Sequence, residues 1–255
     1  MIVEQLELVD FRNYTNASFA LTSGVTAIVG RNAQGKTNVA EAMAFLATLD
    51  SFRQVPPVAL VREGAEFATI RAVVRHNDGR ELQVEVQIQR QGRTIVQVNK
   101  QRLPRTRDLL GVLRVSVFSP DDLELVKGGG SLRRRYLDFL GVQSVPGYKK
   151  ALSNYERTQR SRNALLKDGR PRREIAAFDS SLIESGELLM EARVALCFSL
   201  GPLARKSCEE ISGQADVLEI RYRPGCNSPF AEALAASRDE EDRLRHTVCG
   251  PHRDD

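Results

Sequence analysis

The stretch Gly30-Arg31-Asn32-Ala33-Gln34-Gly35-Lys36-Thr37 follows the pattern G-x-x-x-x-G-K-[ST], and its reading decides the fold. Glycines at both ends let the backbone turn tightly, so that several N–H groups converge on one point. The positive end of a following helix dipole adds to the attraction for an anion there. The chemistry that uses such a cradle is a polyphosphate. Lys36 reaches the β- and γ-phosphates and the Thr37 hydroxyl ligates Mg²⁺. The pattern therefore predicts a nucleoside triphosphate, ATP with Mg²⁺, held by Gly30, Arg31, Asn32, Ala33, Gln34, Gly35, Lys36, Thr37 and Asn38. A random chain of this length meets the pattern on the order of once in a hundred.

The flanks supply the expected context. Residues 25–29 are a short β-branched apolar run ending at Gly30, which predicts a strand. From Lys36 to Leu49 the apolar Val39, Ala40, Met43, Ala44, Leu46 and Ala47 predict a helix. Further strands are expected at 2–10 and 18–21, and a meander at 67–75, 81–89 and 94–98. Leu82, Val84, Val86 and Ile88 alternate strictly, and Asp78-Gly79 and Gln91-Gly92 supply the turns. After Pro120 the pattern changes to helices at 121–126, 132–140, 148–166 and 175–212, the last broken at Gly201-Pro202. The expected fold is α/β: a β-rich ATPase lobe at 1–117 and a mainly helical lobe at 118–255, with a basic loose linker at 167–173.

Composition bounds the class. A chain of 255 residues can bury a substantial core. Its N-terminus has neither a basic n-region nor an apolar h-region, and no apolar run is long enough to span a bilayer, so a cytoplasmic protein is expected. Cys197, Cys208, Cys226 and Cys249 are widely spaced without a C-x-x-C pair, which predicts reduced and mostly buried thiols. His76, His246 and His252 show no metal-ligand spacing.

Charge is uneven. Residues 127–173 carry thirteen Lys and Arg against three acids, a local net of +10 in a chain whose net charge is +4. On the helix expected at 148–166, Lys149, Lys150, Arg157 and Arg160 share an arc of about 100°, opposite Tyr148, Ala151, Leu152 and Tyr155. Such a stripe is either a phosphate-contacting surface for DNA or a solvated helix face, and the residues alone leave both open.

The chain resembles the RecF family of bacterial DNA repair proteins. The resemblance rests on Leu8-Val9-Asp10-Phe11-Arg12-Asn13-Tyr14, Gly35-Lys36-Thr37-Asn38 with Glu41-Ala42, and Ser51-Phe52-Arg53. It continues through Phe118-Ser119-Pro120-Asp121-Asp122-Leu123-Glu124-Leu125-Val126-Lys127-Gly128 and Arg133-Arg134-Arg135-Tyr136-Leu137-Asp138. Tyr155, Arg162-Asn163, Phe178-Asp179 and the closing Gly250-Pro251-His252-Arg253-Asp254-Asp255 complete it, while the family's proline after Gly128 is replaced by Gly130.

The resemblance implies a P-loop ATPase head of the ATP-binding-cassette type, related to structural-maintenance-of-chromosomes heads. It further implies an ATP-dependent homodimer that binds DNA, single-stranded or gapped duplex, in recombinational repair, replication and the SOS response. RecR, RecO and RecA are the implied partners, and the location is cytoplasmic and nucleoid-associated. Arg12 and Asn13 are implied nucleotide contacts. Arg133 and Arg134, with Arg135, are candidates either for DNA or for internal ion pairs.

In the family, the carboxylate pair that activates water and the S-x-G-Q-Q signature both lie downstream of G-P-H-R-D-D. The expectation is thus the front two-thirds of such a protein, with the C-terminal part of the ATPase lobe missing. The complete protein is expected to be a weak DNA-dependent ATPase, and these residues to bind nucleotide without hydrolysing it. Asp254-Asp255 follow His252-Arg253 rather than an apolar strand, so they are not read as that carboxylate pair. Asp121-Asp122 are read as a helix-opening cap. Two other classes stay open: a cassette ATPase with a nuclease domain of the overcoming-lysogenisation-defect type, and a nucleotide-independent DNA-binding module.

Overall fold

The computed structural model describes residues 1–118, 120–226 and 229–255, with backbone alone at 120 and 121. Ser119 of the family fingerprint and the capping role read for the Asp121 side chain lie outside the described residues. The chain divides into two compact units, Met1–Phe118 and Ser119–Asp255.

The first unit is built on a six-stranded antiparallel sheet of order β2-β1-β3-β4-β5-β6. The strands are β1 Ile2–Phe11, β2 Tyr14–Ala20, β3 Phe67–Arg75, β4 Glu81–Gln89, β5 Ile95–Val98 and β6 Gln101–Arg102. Register places like with like on the inner face: Leu8 opposite Ile70, Ile70 opposite Val86, and Val86 opposite Val96, all buried. A period of two then sends the intervening residues to the other face, where Arg71 bridges Glu7 at 2.6 Å and Glu85 at 2.7 Å. Helix α1, Lys36–Thr48, buries Val39, Ala42, Phe45 and Leu46 in the same core.

The strand expected at 25–29 does not form. These residues have no assigned strand and no place in the sheet, and they are exposed, Val25 at 96% and Val29 at 87%. A strand exists only with a hydrogen-bonded neighbour, whatever its propensity, and no strand of the described sheet pairs with 25–29.

The second unit is helical: α2 Glu124–Lys127, α3 Gly130–Ser144, α4 Tyr148–Lys167, α5 Arg172–Ala176, α6 Asp179–Ser212, α7 Phe230–Ala236 and α8 Arg238–Leu244. A 3₁₀ turn at Pro120–Leu123 takes the first part of the helix expected at 121–126. The helix expected from 175 splits at Ala177-Phe178, whereas Gly201-Pro202 does not interrupt α6. Pro202 costs the helix one hydrogen bond, but it lies on an exposed face where water can serve the orphaned carbonyl.

Buried ion pairs knit this unit together. Arg162, 1% exposed, donates to both carboxylate oxygens of the fully buried Glu241 at 2.7 and 2.8 Å and to Asp179 at 3.0 Å. All four cysteines are free; Cys197 and Cys249 are buried, and Cys208 and Cys226 are half-buried.

Candidate nucleotide site and basic helix face

The phosphate loop runs into α1 with the backbone that its glycines permit. Gly30, Ala33 and Gly35 all have positive φ, at 155°, 64° and 96°. The N–H groups of Lys36 and Thr37 open α1, where a helix offers no intrahelical acceptor, so they are available to an anion, while the Asn38 N–H donates to the Gly35 carbonyl at 2.8 Å. The Lys36 ammonium folds back over the loop, donating to the carbonyls of Gly30 at 2.8 Å and Arg31 at 2.7 Å. Thr37 is exposed beside it. The residues present therefore fit a triphosphate.

Asn13, at the β1–β2 turn, lies against this loop. A Cβ placed on Gly35 would meet Asn13 Oδ1 at 2.6 Å and Nδ2 at 2.8 Å and push that side chain aside, while the φ of 96° itself favours glycine. Arg12 faces elsewhere. Its Nε and Nη2 donate to Glu41 Oε2 and Oε1 at 2.9 and 2.7 Å, and its Nη1 donates to the Ala59 carbonyl at 3.1 Å. Arg12, the other implied nucleotide contact, thus commits three of its five N–H donors to a buried carboxylate and a backbone oxygen.

Sequence reasoning missed Glu41, which is fully buried in α1 and also accepts from Ser51 Oγ at 2.5 Å. A charged residue on the apolar side of an otherwise regular amphipathic helix is the signal that could have found it.

In the helical unit, α4 presents the expected two faces. Tyr148, Ala151 and Tyr155 are buried, and Lys150, Arg157 and Arg160 are exposed. Lys149 departs from the stripe. It is half-buried, and desolvation pushes its pKa below the usual lysine value. From Lys150 the exposed face continues through Arg157 and Arg160 to Lys167, a run of about 25 Å along the helix axis.

Arg133 and Arg134, candidates either for DNA or for internal ion pairs, have internal partners. Arg133 makes a bidentate pair with Asp255 at 2.5 and 2.8 Å and donates to the Leu125 and Gly128 carbonyls at 3.1 and 2.8 Å. Arg134 donates to the Asp254 carbonyl at 2.5 Å. Gly130, first residue of α3, leaves room for this: a Cβ there would lie 2.8 Å from Asp255 Oδ1.

The closing segment is likewise structural. Asp254, 1% exposed, accepts from Arg193 at 2.9 Å, Tyr222 Oη at 2.5 Å and the Gly225 N–H at 2.8 Å. His252 Nε2 donates to the Thr247 carbonyl at 3.1 Å, which leaves Nδ1 to accept from Tyr155 Oη at 2.7 Å. Burial pushes the His252 pKa down to about 4, so the ring is neutral. Among the described residues no cluster of His, Cys, Asp and Glu could hold a metal ion, and no helix is long and apolar enough to cross a membrane.

Comparison with known proteins places this arrangement. Residues 2–213 match the model of the RecF/RecN/SMC N-terminal domain. The DNA replication and repair protein RecF of Clavibacter sepedonicus is 41% identical over 290 residues, covering 100% of this chain and 71% of the relative. The protein of the same name from Streptomyces avermitilis is 36% identical, covering 100% of this chain and 74% of the relative. A solved structure of the recombination mediator protein RecF-ATPrS of the RecFOR pathway superposes with a TM-score of 0.90 at 30% identity, over 100% of this chain and 72% of its own. A RecF-ATP structure of the same pathway gives 0.86 at 30% identity, over 99% and 71%.

Proposed function

The chain belongs to the RecF family, and on that premise we propose that it is an ATP-responsive DNA-binding protein of replication and recombinational repair. The observation that carries this reading is the Lys36 ammonium held on the carbonyls of Gly30 and Arg31 at the N-terminus of α1. There a triphosphate would exchange those weak acceptors for charged oxygens. The relatives solved with ATP and ATPrS support the choice of nucleotide. Gly30 to Asn38 form the binding segment, and Thr37 offers the oxygen for Mg²⁺.

The bound nucleotide supplies the free energy that distinguishes one state of the protein from another. This chain's own residues orient it: Lys36 by charge, the loop by its N–H groups, and Asn13 by closing the loop's flank at Gly35. DNA is met by Lys150, Arg157 and Arg160 on α4, which neutralise phosphates without reading bases. ATP-driven pairing of two copies, RecO and RecR as partners, and gapped DNA as the substrate extend the same reading. They follow from the family and from the RecFOR setting of the related structures.

The test is DNA binding by the full-length protein with and without ATP, in wild type and Lys36→Ala. The reading requires ATP to raise the affinity of wild type and to leave the variant unchanged. Equal stimulation of both would overturn it.

A further inference from the structure

We propose that Asn38 is a positioning residue that couples occupancy of the phosphate loop to the segment Ser51-Phe52-Arg53. The proposal rests on the nucleotide reading above and adds to it a route by which the bound state leaves the loop.

Asn38 sits in the first turn of α1, directly after Thr37, and its carboxamide is held at both ends. Nδ2 donates to Asn13 Oδ1 at 2.8 Å, and Oδ1 accepts from Arg53 Nη1 at 2.9 Å. The guanidinium has donors alone, so it fixes which end of the amide is oxygen and forces the amino group toward Asn13. On one side the Asn13 carboxamide packs beside Gly35, within 3 Å of where a Cβ would stand. On the other, Arg53 lies 3.6 Å from the buried Glu41 carboxylate, and its own N–H donates to Ser51 Oγ at 3.1 Å. Ser51 Oγ in turn donates to Glu41 at 2.5 Å.

The result is a polar path from Asn13, packed beside Gly35, through Asn38 and Arg53 to Glu41. Its two ends differ in freedom. Glu41 is fixed by burial and by Arg12, whereas the loop must rearrange when Lys36 leaves the Gly30 and Arg31 carbonyls for a phosphate. A loop movement at Gly35 displaces Asn13, and because the amide of Asn38 has no alternative polarity to adopt, the displacement passes to Arg53. Arg53 is 39% exposed, with its guanidinium 6.0 Å from the centre of the Phe52 ring, so it can move without unpacking the core.

These 255 residues contain no tryptophan, so Phe52→Trp introduces a reporter beside Arg53, read as the difference from the protein without the substitution. The full-length protein carrying this substitution is titrated with ATP and Mg²⁺, following tryptophan emission, while calorimetry measures binding independently. The expected result is an emission change that saturates with ATP. That change is lost when Asn38→Ala or Asn38→Asp is added, read at ATP concentrations that calorimetry shows to saturate each variant, whatever its affinity.

Asn38→Asp keeps an acceptor for Arg53 and removes the donor to Asn13, so a merely structural role for Asn38 would spare the signal in that variant. Asn13→Ala cuts the same path from the other side and should give the same loss. An unchanged emission response without Asn38, or none in the Phe52→Trp protein while calorimetry records ATP bound, overturns the coupling. No calorimetric binding to the Phe52→Trp protein or to wild type overturns the nucleotide reading, and the coupling with it.

Discussion

Arg12 and Glu41 form a two-pronged ion pair, with Nε to Oε2 at 2.9 Å and Nη2 to Oε1 at 2.7 Å, and the carboxylate is completely shielded from water. Removing the guanidinium would strand a buried charge, whereas removing the charge itself would not. Arg12→Ala is expected to cost about 3 kcal/mol of stability, and Glu41→Gln less, since the amide keeps an acceptor for Ser51. Urea unfolding of the two variants checks this. An Arg12→Ala protein as stable as wild type would mean that Ser51 and Arg53 satisfy Glu41 unaided.

On α4, charge reversal is unnecessary to test the basic face. Arg157→Ala with Arg160→Ala should weaken binding to every DNA sequence alike and flatten the slope of log affinity against log salt by about one to two. Lys149→Ala should change that slope much less, because the ammonium is half-buried. Arg133→Ala should act on stability instead, since its guanidinium is committed to Asp255. Titrations at several salt concentrations separate the three, and an unaltered slope in the double variant would return the stripe to a solvated face.

Asp254 holds the buried Arg193 together with Asp138, at 2.9 and 2.8 Å. Asp254→Asn removes half of the countercharge from a guanidinium that cannot shed its proton, and should destabilise the helical unit by about 3 kcal/mol. Thermal unfolding followed by helical circular dichroism measures it. A melting temperature within a degree of wild type would show that Asp138 alone suffices.

His252 gives a pH dependence of definite sign. Its folded pKa, about 4, lies below the usual 6.5, so between these values the unfolded chain binds the extra proton. Stability from this group is complete above about 6.5 and is lost as pH falls toward 4. Arg253 and Arg134 reinforce the depression and Asp254 opposes it. Denaturant midpoints between pH 7.5 and 4.5 should decline more steeply in wild type than in His252→Gln. Parallel declines would assign the acid sensitivity to carboxylates instead.

Much of this molecule is legible along the chain because its signals are periodic or local. The alternation from Leu82 to Ile88 gives β4, and the face of Tyr148, Ala151 and Tyr155 gives the buried side of α4. Where the reading failed, periodicity was silent or misleading. Residues 25–29 have strand composition without a strand, and Lys149 falls on the basic arc yet is half-buried by its surroundings.

The sequence by itself determined the loop from Gly30 to Thr37, because a phosphate cradle needs glycine and lysine at fixed spacing within one turn and nothing from elsewhere. It determined the family for the same reason, since short contiguous motifs carry it. Only the tertiary structure decided which arginines remain available to a ligand. Arg12 pairs with a residue 29 positions away, Arg193 with one 61 away and Arg133 with one 122 away. An arginine on the page is only a positive charge. Whether it meets DNA or a carboxylate depends on which acid the fold carries to within about 3 Å of it, and no local pattern encodes that choice.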